Sequence, residues 1–257
     1  MTKFVGLNIV GVYSNYLVII NMLNTFINTI YSSIISSLGN LVAKENPIKR
    51  LEIFKIMDFI GFVIYSFCGI CLFNLFNPFI KIWAGESYLF SSEIVAIIVL
   101  NFYITGMRVP LGAIKSAAGV YSQDKYIPLI QSAINIIVSI ILANYLGVMG
   151  VLIGTFVSSL LPAVHRPYVV YKNVFEKKPY EYYIAYVKKF IIFVLGVFLT
   201  NIIICFIKID NPYLYLIITG IISGIIYLIF VFIIYRKTNE LRYIRDYVKS
   251  IYLEVKK

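Results

Sequence analysis

Long apolar runs alternate with short polar breaks along this chain. Seven runs approach or exceed the roughly 20 residues a helix needs to cross the hydrocarbon core of a bilayer. They lie near residues 9–42, 56–80, 91–113, 127–146, 150–171, 190–207 and 214–235, and the breaks between them hold most of the charge. This pattern predicts an all-α fold, a polytopic transmembrane helical bundle of about seven spans.

The first run differs from the rest. Ser14, Asn21, Thr25, Asn28, Ser32 and Ser36 recur at spacings of three, four and seven, which draws a polar stripe along one face of a helix, with Asn15 and Asn24 close to it. Amides turned to lipid would leave donors and acceptors unsatisfied at several kcal/mol each. The stripe must therefore meet either other helices, through interhelical hydrogen bonds, or a water-filled substrate cavity. Both readings stand, and the second makes Asn21, Thr25, Asn28 and Ser32 candidates for lining a pathway.

Two charged residues fall where lipid would penalise them. Arg108 follows Tyr103-Ile104-Thr105-Gly106-Met107 at the end of the third run, and Asp58 lies near the start of the second. An arginine at mid-bilayer costs about 3 kcal/mol on insertion scales, so it should face a cavity or a partner. Asp58 is the matching intramembrane acid. Each could instead snorkel to the nearer interface.

Other motifs carry less chemistry. Pro162 and Pro167 should kink the fifth helix, and His165 beside Arg166 reads as an interfacial residue. Cys68-Gly69-Ile70-Cys71 has CxxC spacing inside an apolar helix with no second ligand pair, so neither a metal nor a redox role is expected, and no cofactor motif is present. Gly150 with Gly154, and Gly220 with Gly224, give GxxxG spacing that favours close helix contact. The sixth and seventh helices, with Thr200, Asn201, Thr219 and Ser223 as almost their sole polar groups, read as peripheral and lipid-facing.

Composition supports a membrane protein: 60% hydrophobic and 14% charged residues leave too little polar surface to cover a soluble core. Charge then sets orientation. All but Lys3, Lys81 and Lys208 of the 23 lysines and arginines fall in alternate breaks, at 43–55, 108–126, 166–189 and 236–257. Basic residues near span ends stay cytoplasmic, which puts these breaks and the C-terminus inside. The formal charge of +11 is then explained by anionic lipid headgroups, so membrane lipids are expected partners and nucleic acid is not. No signal peptide is visible.

The outer connections are too short for an extramembrane catalytic domain, so no enzyme is expected. Residues 236–257 place Leu241, Ile244, Val248, Ile251 and Val255 at helical spacing among basic residues, which fits an amphipathic helix on the inner leaflet as well as a solvated basic tail. With the first helix running inward, seven crossings leave Met1-Thr2-Lys3 outside. That parity predicts at least one preceding span, with residues 1–8 the remnant of a span or outer loop and the sequence a fragment.

Three stretches carry a resemblance. The run Phe4-Val5-Gly6-Leu7-Asn8-Ile9-Val10-Gly11-Val12-Tyr13-Ser14-Asn15-Tyr16 resembles a segment of polysaccharide and O-antigen flippases, within the multidrug/oligosaccharidyl-lipid/polysaccharide exporter superfamily. Asn135-Ile136-Ile137-Val138-Ser139-Ile140-Ile141-Leu142 followed by Leu146-Gly147-Val148-Met149-Gly150-Val151-Leu152-Ile153-Gly154-Thr155 is similar to that family's Asn-rich span, tight Gly turn and Gly-Thr helix start. Arg166-Pro167-Tyr168 with Tyr171, Lys172 and Phe175 resembles its next cytoplasmic segment.

The resemblance implies a MATE-like transporter with about twelve to fourteen spans in two repeated halves, of which this chain is the C-terminal one. It further implies transport of an undecaprenyl-diphosphate-linked oligosaccharide across the bacterial cytoplasmic membrane for capsule or O-antigen synthesis. Such a path would be completed by a separately encoded N-terminal half or a second copy. Arg108 and the helix-one stripe would supply the cation and the amide and hydroxyl lining for a diphosphate and its sugars. Rival classes are a drug or cation exporter of the same superfamily, which would need an acidic pocket, and a membrane glycan polymerase or ligase, which would need a substantial outer loop.

Overall fold

The computed structural model describes residues 6–255, with residues 247, 248 and 250–255 described by backbone alone. The first five residues of the 1–8 segment, and Val248, Ile251 and Val255 of the expected amphipathic face, therefore lie outside what can be compared. Nine α-helices follow one another among the described residues: α1 Leu7–Lys44, α2 Pro47–Trp83, α3 Ser92–Gly106, α4 Val109–Ala117, α5 Ile127–Leu146, α6 Val148–Asn173, α7 Tyr180–Cys205, α8 Pro212–Tyr235 and α9 Asn239–Val255. Seven spans are long and apolar enough to cross a membrane, with α3 and α4 together forming the third. The fold is thus the all-helical, multi-pass bundle that the hydropathy pattern predicts.

Helix starts are written locally. Asn46-Pro47 and Asn211-Pro212 each place a side-chain cap before a proline that needs no N–H partner. Asn46 Oδ1 accepts from Lys49 N at 2.9 Å, and Asn211 Oδ1 accepts from Tyr213 N and Leu214 N at 3.0 and 3.2 Å. Between α5 and α6 the chain reverses at Gly147, whose φ of +56° and ψ of −130° suit a residue without a Cβ.

Helix α2 is the axis of the bundle, packing against α1, α3, α4, α7, α8 and α9. Its 37 residues extend about 55 Å at 1.5 Å per residue. Because lipid tails are as apolar as leucine, helix association here rests on close packing and interhelical hydrogen bonds rather than on burial from water. Small residues make the closest contacts. A Cβ at Gly154 would lie 2.8 Å from Ser139 N, and one at Gly150 would collide with the Leu142 carbonyl, so the first GxxxG pair fastens α6 to α5. Gly220 and Gly224 of the second pair approach Leu75 and Phe67 of α2.

Pro162 and Pro167 lie inside α6, which runs from Val148 to Asn173. Two expectations are corrected. The third span, read as one run, is broken at Met107 and Arg108, between α3 and α4. Helices α7 and α8 are not merely peripheral. Their sparse polar groups converge on α2, where Asn74 Nδ2 donates to Thr200 Oγ1 at 3.1 Å and Ser223 Oγ at 3.2 Å. Thr200, Thr219 and Ser223 are fully buried, while the opposite faces of both helices expose rows of Ile, Leu and Phe.

The basic breaks share one end of the bundle. Arg50 of α2 donates to the Val174 carbonyl beyond α6 at 3.3 Å, Lys55 lies 3.7 Å from Glu181 of α7, and Arg166 lies 3.7 Å from Asp124. At the other end the Tyr16 hydroxyl donates to Asn77 Oδ1 at 2.7 Å and accepts from Phe90 N at 2.9 Å, tying α1, α2 and the approach to α3 together. Lys81 donates to Glu86 there at 2.6 Å and holds that exposed carboxyl below the usual range. Helix α9 returns against α2, placing Leu241 and Ile244 beside Phe59, Val63 and Phe232.

Candidate functional site

The break between α3 and α4 is what puts Arg108 into a cavity. Gly106 ends α3 against the ring of Tyr65, where any Cβ would collide, and Arg108 N turns back to the Thr105 carbonyl at 3.3 Å. Pro110 then starts α4 with its ring pressed on Gly61 of α2, where an added Cβ would stand 2.6 Å from Pro110 Cγ. This interlock of Gly61, Tyr65, Gly106 and Pro110 fixes the backbone that carries the guanidinium.

The cavity, about 400 Å³, is lined by Asn28 and Ser32 of α1, Thr105 and Arg108 at the break, Ser116 of α4 and Arg166 of α6. Two guanidiniums, one amide and four hydroxyls, the Tyr31 phenol among them, thus share one concave surface with the apolar side chains of Ile35, Val109 and Ala113. The guanidiniums are poorly served by the protein. Arg108 Nη2 reaches Thr105 Oγ1 at 3.4 Å, and its buried Nε has no hydrogen-bond partner. Arg166 Nε is likewise unpartnered, 3.7 Å from the Asp124 carboxylate. Among the described residues Arg108 forms no ion pair. Each guanidinium offers five N–H donors in a planar fork that matches phosphate and carboxylate oxygens. The arrangement is suited to an oxyanion flanked by hydroxyl-rich chemistry.

The sequence-derived candidates separate into three groups. Arg108, Asn28 and Ser32 come together in the cavity. Asn21 and Thr25 lie outside it, exposed on the same helix, with Asn21 about 10 Å farther along the axis than Asn28 at 1.5 Å per residue. None of the stripe residues bonds to another helix among those described: Ser14 and Ser32 donate to carbonyls of α1 itself. The interhelical reading of the stripe therefore finds no partner among the described residues. Asp58 stands apart, buried on α2 and paired with Lys189 of α7 at 2.5 Å, with Lys189 also 5.8 Å from the Phe62 ring centroid. Asp58 lines a second, smaller cavity with Tyr171, Tyr182 and Tyr235 rather than the one containing Arg108.

Arg166 and Lys189 escaped the sequence reading, which counted both as cytoplasmic charge. For Lys189 a signal existed: Asp58 and Lys189 are opposite charges at span ends that parity places on the same side. Nothing local marked Arg166, which reaches the cavity only because α6 packs against α4.

With this geometry in hand, the bundle can be set beside known structures. It superimposes on lipid II flippase MurJ in an inward closed conformation. The TM-score is 0.63 at 18% sequence identity, over 90% of this chain and 47% of that one. The likeness establishes a shared fold, and the chain spans about half the length of that flippase. No protein-family model matches the sequence, and no curated protein does.

Proposed function

We propose that this chain forms one wall of a membrane path for an undecaprenyl-diphosphate-linked oligosaccharide and takes part in its translocation for cell-surface polysaccharide synthesis. The observation that carries this reading is the pair of under-coordinated guanidiniums, Arg108 and Arg166, in a cavity whose other polar lining is one amide and several hydroxyl groups, set among the apolar side chains Ile35, Val109 and Ala113. Supporting it are the flippase fold and the open polar stripe of α1, which continues the cavity lining toward the opposite end of the bundle. The headgroup of such a lipid is anionic at the diphosphate and hydroxylated at the sugars, which matches those groups in kind.

Among the described residues the stripe remains uncovered, and polar backbone or side chains cannot face lipid without a penalty. We therefore read the missing wall as a second half, supplied by a separate polypeptide or a second copy. The basic end is read as cytoplasmic. A drug or cation exporter would need a free acid in the path, whereas Asp58 is engaged by Lys189.

Binding tests this directly. Purified in detergent, the chain should retain undecaprenyl diphosphate in preference to uncharged undecaprenol. Arg108→Ala and Arg166→Ala should each weaken that binding about tenfold or more, the loss expected for charge-assisted hydrogen bonds worth roughly 1.5–3 kcal/mol. Lys172→Ala, an exposed charge on the same helix as Arg166, should leave it unchanged. Equal retention of both lipids, or wild-type affinity in both arginine variants, would remove the basis for the proposal.

A further inference from the structure

Asp124 is the most deeply buried carboxylate at the basic end, with 4% of its side chain exposed, in a short turn (Ser122–Asp124) on the connection from α4 to α5. Both of its oxygens accept from Lys115 Nζ of α4, each at 2.6 Å. That ammonium is itself 13% exposed and lies over the Tyr121 ring. The pair is therefore rigid and nearly neutral. One oxygen of Asp124 also faces Arg166 Nε at 3.7 Å, too long for a hydrogen bond but close enough for charge attraction.

This spacing has a consequence for the cavity. A carboxylate in full bidentate contact would consume the Arg166 fork. A carboxylate already satisfied by Lys115, and held one step away, attracts the Nε side of the guanidinium without saturating it. The rest of the fork is left toward the wall that Arg108 also lines. We infer that Asp124, fixed by Lys115, is a positioning residue that aims Arg166 beside Arg108, so that the two guanidiniums form a clamp selective for a two-phosphate group over a single phosphate. The inference rests on reading this cavity as an anion site and adds to it a specificity and the residue that sets it.

Charge counting and positioning predict opposite outcomes, which makes the test sharp. Asp124→Asn removes a negative charge from beside the site, so electrostatics alone would tighten anion binding. Positioning requires the reverse. The probes are farnesyl diphosphate and farnesyl monophosphate, with dissociation constants measured on the full chain in detergent alongside melting temperature. The wild type should prefer the diphosphate by about tenfold, the increment of one further charge-assisted contact. Asp124→Asn should abolish most of that preference by weakening diphosphate binding while monophosphate affinity stays within about twofold, on the same reasoning. In an Arg166→Ala background, Asp124→Asn should change neither affinity, because Asp124 acts through Arg166. If the asparagine variant does not fold, Asp124→Glu serves instead. It keeps the charge but displaces the carboxylate by a methylene, and it should likewise lose the preference.

Unchanged or tighter diphosphate binding in Asp124→Asn would overturn the inference, as would equal weakening of both probes, the signature of a loop anchor. So would an effect that persists without Arg166, or a wild type that does not discriminate. If Arg108→Ala loses diphosphate while the Asp124 variants do not, the inference is overturned and only the anion site of the proposed function stands. A wild type that binds neither probe sinks the anion site and this inference together.

Discussion

Replacing Lys189 with methionine keeps most of the side-chain volume and leaves the Asp58 carboxylate alone inside the bundle. In the wild type the two groups meet at 2.5 Å with 8% and 9% of their side chains exposed, amid Phe62, Tyr171, Tyr182 and Tyr235. Only one Asp58 oxygen is used, so the lysine is its sole hydrogen-bond partner among the described residues. Removing one member of a buried pair costs about 3–5 kcal/mol, because the survivor stays desolvated without compensation. Lys189→Met should therefore destabilise the protein by about 3–5 kcal/mol. The double variant Asp58→Leu/Lys189→Met, with two apolar groups in place of the pair, should fall within about 1 kcal/mol of wild type. Denaturant titration in detergent of the wild type, Asp58→Leu, Lys189→Met and the double variant, followed by tryptophan and tyrosine fluorescence, gives the four stabilities and their coupling. A loss below about 1 kcal/mol for Lys189→Met, or additive single-site costs in the double variant, would refute the reasoning. The same double variant bears on function. If it still retains undecaprenyl diphosphate, Asp58 holds α2 to α7 and is not part of the path.

Gly154→Ala should force α5 and α6 apart, since the new methyl would meet backbone atoms of Ser139 at 2.8 and 2.9 Å. The expected cost is about 1–3 kcal/mol or more, with a matching fall in membrane abundance, whereas Gly11→Ala, which meets nothing within 4 Å, should be neutral. For topology, single cysteines at 49, 121, 177 and 249 should react with a membrane-impermeant reagent only from the cytoplasmic face, and those at 86, 149 and 211 only from outside, in a background lacking Cys68, Cys71 and Cys205. External labelling at 177 would invert the orientation.

Hydropathy and charge alone determined the class of this protein. Lipid imposes a minimum apolar length on every crossing and forbids unpaired backbone, so span number could be read from run length, and the grouping of basic breaks at one end could be read from parity. The α1 stripe was legible for the same reason: Asn21, Thr25, Asn28 and Ser32 repeat at helical period where lipid tolerates no amides. What the stripe meets was not. That Asn28 and Ser32 face Arg108 and Arg166, while Asn21 and Thr25 do not, depends on where the third span breaks. The break follows from Gly106 against Tyr65 and Pro110 against Gly61, contacts between residues forty or more positions apart. The fate of the charges was likewise tertiary. Asp58 and Arg108 looked like a matched acid and base, yet Asp58 found Lys189, 131 residues away, and Arg108 found no ion pair. Local sequence fixes whether a segment can enter the membrane, because that is a solvation question. Which buried charge is neutralised, and which is left for a ligand, is decided by helix packing, because it depends on distances of a few ångströms between distant segments.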